Sequence, residues 1–189
     1  MKMHTYLGAA AISLAAIAAT VLPSQATPSA SRASASTAAA CAVTWGSLPK
    51  ADQVPVDAST LFNVRAGRHE CYDRLVLDGS SFVRVEYVDQ VRADGSGAVV
   101  PLRGGARLQL ITNSAGGYEN ENPAYEPANP KELVNVTGWQ TFRQVAWAGD
   151  FEGQSTIGLG VRARLPFRVF VLPAVNGPAR AVIDVAHQW

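Results

Sequence analysis

From residue 41 onward the chain contains no stretch of ten or more residues with clean helical periodicity. It is instead a succession of short β-branched and aromatic runs broken by Gly, Pro, Asn and Asp. That pattern predicts an all-β fold. The runs lie at residues 42–48, 61–66, 73–78, 82–89, 98–102, 106–112, 133–137, 140–147, 155–164, 167–172 and 180–186. The strongest signal is Phe167 to Leu172 followed by Arg180 to Val185, joined through Pro173, Asn176, Gly177 and Pro178, which reads as a hairpin with a loop of several residues. Both arms are apolar at most positions, as inner strands of an antiparallel two-sheet β-sandwich are, with the sparse Arg and Asp pointing outward. Alternation is cleaner in 82–88, where Val83, Val85 and Tyr87 share one face and Arg84 and Glu86 the other, so one side of that strand should meet water.

Ahead of the β-rich part, Lys2 precedes an apolar stretch from Leu7 to Leu22, then Pro23 and the small residues Ser24 and Ala26, the layout of a secretory signal peptide ending at residue 26. The Ala-rich stretch and its small-x-small ending favour cleavage over a membrane anchor, so no stable membrane insertion is expected. Residues 27–40 are almost entirely Ser, Ala, Thr and Pro, with too little apolar bulk to offset chain entropy; they read as a disordered tether. Lipid anchoring is not expected either, because the first cysteine, Cys41, lies well downstream of the apolar stretch. The remaining 41–189 is of a length that forms one domain with a proper core. In an oxidising compartment the two cysteines, Cys41 and Cys71, are expected to bridge. Removing Lys2 leaves fifteen cations and fifteen anions. A nucleic-acid or anionic-membrane partner would call for a basic excess, so neither is expected.

The search for reactive chemistry returns little. His69 and Glu70 are adjacent and would point to opposite faces of a strand, and no His-x-x-x-His or Cys-x-x-Cys spacing prepares a metal site. The nearest strings to a serine-hydrolase elbow, Gly95-Ser96-Gly97 and Gly153-Gln154-Ser155, do not match it. Asp73 and Asp78 would lie about 16 Å apart along a strand, too far for a glycosidase pair. Gly158-Leu159-Gly160 sits inside a strand-like run, where two close glycines mark a bulge or tight packing. No catalytic, metal or cofactor residue is assigned. Of the tryptophans, Trp45 and Trp147 read as core, while Trp139, flanked by Gly138 and Gln140, reads as exposed. The polar segment 113–131, with Tyr118 and Tyr125 among Glu119, Glu121 and Glu126, is long enough to be functional.

Two strings carry a family resemblance. Val64 to Asp78, with its His69-Glu70 region running into Tyr72-Asp73-Arg74-Leu75-Val76-Leu77-Asp78, and Pro178-Ala179-Arg180-Ala181-Val182-Ile183-Asp184-Val185 together resemble the AMIN-like domains of secreted actinobacterial proteins. The resemblance spans residues 61–187, with Cys71 a departure from many relatives. It implies a β-sandwich that targets envelope proteins and contacts peptidoglycan. The resulting expectation is a monomeric, secreted, non-catalytic module of the cell envelope, extracellular or wall-associated. Its partner would be peptidoglycan or another wall glycan, or an envelope protein, met through Tyr118, Tyr125 and Trp139. Two alternatives remain: a small secreted hydrolase using His69, Glu70, Asp73 or His187, and a protein-interaction domain working through the 113–131 loop or a strand edge.

Overall fold

The computed structural model describes residues 41–55, 59–116, 123–173 and 177–189; the expected signal peptide, the tether and Tyr118 lie outside the described residues. Its strands are β1 (Lys50–Gln53), β2 (Asn63–Arg68), β3 (Tyr72–Asp78), β4 (Phe82–Val88), β5 (Val91–Arg92) and β6 (Val99–Val100). They continue as β7 (Ala106–Asn113), β8 (Phe142–Phe151), β9 (Gln154–Val161), β10 (Phe167–Leu172) and β11 (Arg180–Ala186). A five-stranded sheet in the order β1-β4-β7-β9-β8 packs on a four-stranded sheet in the order β10-β11-β3-β2, and every pairing is antiparallel. The expected single-domain two-sheet β-sandwich is the fold.

The core follows from alternation. Val83 and Val85 of β4, Leu108 and Leu110 of β7 and Ile157 and Leu159 of β9 face Leu75 and Leu77 of β3, Ile183 of β11 and Phe167 of β10 with no exposed surface. Fully burying side chains of this size is worth about 1.5–3 kcal/mol each. The 167–172 and 180–185 arms pair from Phe167↔Val185 to Leu172↔Arg180, the expected hairpin. Arg84 and Glu86 point away from the core and pair at 3.1 Å.

Two runs that read as strands are not. At 42–48 Gly46 takes φ 67° and bends the chain, so the segment contributes the Gly46 carbonyl to the Phe167 N–H and no ladder. At 133–137 a single bond, Leu133 N to Val145 O, follows the edge of β8 before the Asn135 side chain accepts the Thr137 N–H and turns the backbone away. Conversely, β1 was invisible in its polar Lys-Ala-Asp-Gln sequence because it is an edge strand, held by β4 on one side. At the other edge, Glu152 and Gly153, with φ of 50° and 81°, make the two-residue β8–β9 turn that such a hairpin favours.

The glycines of β9 have the packing role their spacing suggested. The segment carrying β5 and β6 folds over the outer face of the five-stranded sheet, burying Val91 and Leu102 against Ala146 and Ala148. A Cβ on Gly160 would stand 2.0 Å from the Arg103 carbonyl oxygen, and one on Gly158 2.8 Å from a Leu102 methyl group. At Gly160 only hydrogen lets the flap lie flat, whereas at Gly158 the leucine end would have to turn aside.

Candidate functional site

The 113–131 loop is anchored by Asp150 near the end of β8. This carboxylate accepts the Ala115 N–H at 2.6 Å, the Ser155 hydroxyl at 2.7 Å and the Ser114 hydroxyl at 2.7 and 2.8 Å. Charge-assisted bonds of this kind hold a loop start more firmly than neutral ones. Farther along, Pro130 accepts the Trp147 N–H at 2.7 Å and Lys131 accepts the Gln144 side-chain amide at 2.9 Å, so the returning limb lies along the β8 edge. A register shift between Trp147 and Gly149 accompanies this contact.

Between loop and strand lies an open cavity of about 260 Å³ lined by Ala115, Gly116, Pro123, Tyr125, Glu126, Pro127, Trp147 and Asp150. The Tyr125 and Trp147 rings meet edge to face, centroids 5.7 Å apart at 63°. Burial raises the Tyr125 hydroxyl above the usual tyrosine range, and it is a neutral donor at physiological pH as any tyrosine is. Neither that hydroxyl nor the Trp147 indole N–H donates to a described residue, and Glu126 is exposed at the rim. The site therefore offers ring faces, two donors and a carboxylate acceptor.

Trp139 does not line this cavity. Its half-buried ring stacks on Phe142 at 6.0 Å and 10°, packs against the core, and has the Arg68 guanidinium 5.9 Å from its centroid. Trp147, read as core, does pack there while also walling the cavity. Trp45, also read as core, lies instead over the outside of the four-stranded sheet, its ring 4.5 Å from Arg168 and 5.7 Å from Tyr72. Trp147 thus has a surface-facing side that its apolar neighbours concealed.

Of the residues considered for hydrolysis, Asp73 and His187 are taken up structurally. Asp73 is wholly buried; one oxygen accepts the Thr141 and Phe142 N–H groups at 2.8 and 2.9 Å, and the other faces His187 Nε2 at 3.2 Å. His187 Nδ1 stands 3.0 Å from the Glu70 carbonyl, so this cluster closes the end of β11 against β3. His69 is exposed and stacks on Tyr72 at 4.4 Å. Among the described residues no three His, Cys, Asp or Glu side chains gather as a metal site, and no helix is long and apolar enough to cross a membrane. Cys41 and Cys71 form the expected disulfide, with their Cα atoms 5.0 Å apart.

A family model, the AMIN-like domain, matches residues 59–187. The chain belongs to the AMIN-like family. The match covers every strand except β1. Membership marks an envelope-associated module, and an AMIN-like domain closed by a disulfide is compatible with an extracytoplasmic place. No curated protein and no solved structure matches the chain.

Proposed function

We propose that this AMIN-like domain is a secreted, non-catalytic module that binds wall glycan, peptidoglycan foremost, through the Tyr125–Trp147 cavity. The observation that carries the reading is an aromatic pair whose donors bond no described residue, beside an exposed carboxylate and facing the Ser114–Ala115 segment that Asp150 holds. Sugar rings present apolar C–H faces that pack on aromatic rings, and hydroxyls that exchange hydrogen bonds with such donors and acceptors. Tyr118 and Trp139 are proposed as further contacts for a longer glycan.

The test is retention of the mature protein, from Thr27 onward, on insoluble peptidoglycan sacculi across a salt series. Salt-resistant retention is expected, with Tyr125→Ala cutting the bound fraction at least about fivefold, the loss of about 1 kcal/mol of stacking. Absence of retention by the unaltered protein, or a Tyr125→Ala variant retained as well as its parent, would overturn the proposal.

A further inference from the structure

The outer face of the four-stranded sheet concentrates charge on a chain whose sixteen cations and fifteen anions nearly cancel. Register arranges its side chains in rows. Arg168 stands opposite Asp184 and Asp184 opposite Arg74; two residues on come Phe170, Val182, Val76 and Arg65; two more bring Leu172, Arg180, Asp78 and Asn63. The rows hold four guanidiniums and two carboxylates, and a mostly apolar row, in which Val76 and Val182 are buried, separates the outer rows.

Both carboxylates are spent within the sheet. Asp184, wholly buried, accepts Arg74 Nε and Nη2 at 2.7 and 2.9 Å and Arg168 Nε at 2.8 Å. Asp78 accepts Arg65 Nε and Nη2 at 2.8 and 3.1 Å and the Asn63 amide at 3.0 Å. The two Nη groups of Arg168 and the whole Arg180 guanidinium donate to no described residue. Arg168 is held in place for an outside acceptor: its guanidinium carbon lies 4.5 Å from the Trp45 ring centroid and 5.4 Å from those of Tyr72 and Phe170. Arg180 stands at the rim of an open cavity of about 630 Å³ walled by Phe62, Leu172, Pro173, Pro178 and Asp78, whose carboxylate is taken up by Arg65 and Asn63. Four residues of strand separate the two cationic rows, about 13 Å.

We infer that this face binds a linear, carboxylate-bearing polysaccharide lying along the strands. One carboxylate meets Arg168, another meets Arg180, and the intervening sugar faces pack on the half-buried ring of Phe170, the accessible apolar member of the middle row. The spacing selects this occupant. A nucleic-acid duplex carries a charge about every 3.4 Å of helix axis on each strand and would leave phosphates over Phe170 with no cation to meet them. Carboxylates on alternate sugars are far enough apart to reach both cationic rows while the ring between them covers Phe170. The site is on the sheet opposite β8 and stands independently of the Tyr125–Trp147 cavity.

Calorimetric titration of the mature protein with a hyaluronan octasaccharide, which carries a glucuronate at every second ring, tests the inference against neutral chitooctaose and an oligoglutamate of equal charge. The acidic sugar is expected to bind at least about tenfold tighter than either. Arg180→Gln, at an exposed position, and Arg168→Lys, which keeps a cation beside Asp184, are each expected to weaken it at least about fivefold, with melting midpoints within about 3 °C of the parent. Equal binding of chitooctaose or oligoglutamate, or undiminished binding by Arg180→Gln, would overturn the inference, and the Arg180 variant decides even if Arg168→Lys fails to fold. Tyr125→Ala should bind the octasaccharide like the parent, so a failure here leaves the wall-glycan proposal standing.

Discussion

At Asp94 two constraints conflict. The residue begins the turn between β5 and β6, where its Oδ1 accepts the Thr156 hydroxyl at 3.0 Å while its buried Oδ2 has no partner among the described residues. Burial holds the carboxyl above its ordinary range and the nearby Asp150 charge adds to this, against the pull of the Thr156 hydroxyl. A carboxyl whose folded value is raised stabilises the fold below its unfolded value, and that contribution is lost as pH rises through the folded value. Asp94→Asn, which cannot ionise, should therefore gain stability relative to the parent as pH goes from about 4 to about 7. Urea denaturation of both proteins over that range measures the difference, and a constant difference would refute the assignment. Nothing local in Asp94-Gly95-Ser96-Gly97 betrays this strain; the sequence shows a turn, and the orphaned oxygen arises because the turn packs against Gly149, where an added Cβ would stand 2.9 Å from the Asp94 Cβ.

Among the elements, β9 shows how a strand can bury both faces. Ser155 to Val161 are all buried because the core lies on one side and the β5–β6 flap on the other. The two glycines differ in what opposes them. At Gly160 the obstacle is backbone, so Gly160→Ala should displace the flap and cost about 2 kcal/mol or more, as overpacking does. At Gly158 it is the end of a leucine side chain, which can rotate, so Gly158→Ala should cost less. Chemical denaturation ranks the two, and limited proteolysis within 91–103 should accelerate for Gly160→Ala alone. The Gly-x-Gly spacing announced close packing, but the partners, Leu102 and Arg103, lie far upstream and could not be named in advance. The same holds for β1 and for the 133–137 segment: edge strands and edge-following loops derive their conformation from a neighbour rather than from their own apolar pattern.

For the whole molecule, the disulfide closes a separation of 30 residues and fastens the segment before β1 across the outer face of the four-stranded sheet, where Trp45 covers Arg168. Replacing Cys41 and Cys71 by Ala should lower stability by about 3–4 kcal/mol in the chain-entropy account. It should also shift the Trp45 fluorescence as that ring leaves the sheet; a variant with parental stability and emission would contradict both statements. The sequence by itself determined the fold class, the closing hairpin, the alternation of β4 and the disulfide partners, because each is written in short-range periodicity, in turn residues or in a cysteine count with one solution, and the strings Val64 to Asp78 and Pro178 to Val185 carried the family resemblance. Only the tertiary structure decided which aromatics face outward, that Tyr125 meets Trp147 rather than Trp139, and that a nearly neutral chain gathers four arginines on one sheet face. Those outcomes depend on strand register and on which loop crosses which edge, and contacts between residues as far apart as Arg74 and Asp184 have no signature in the local order of the chain.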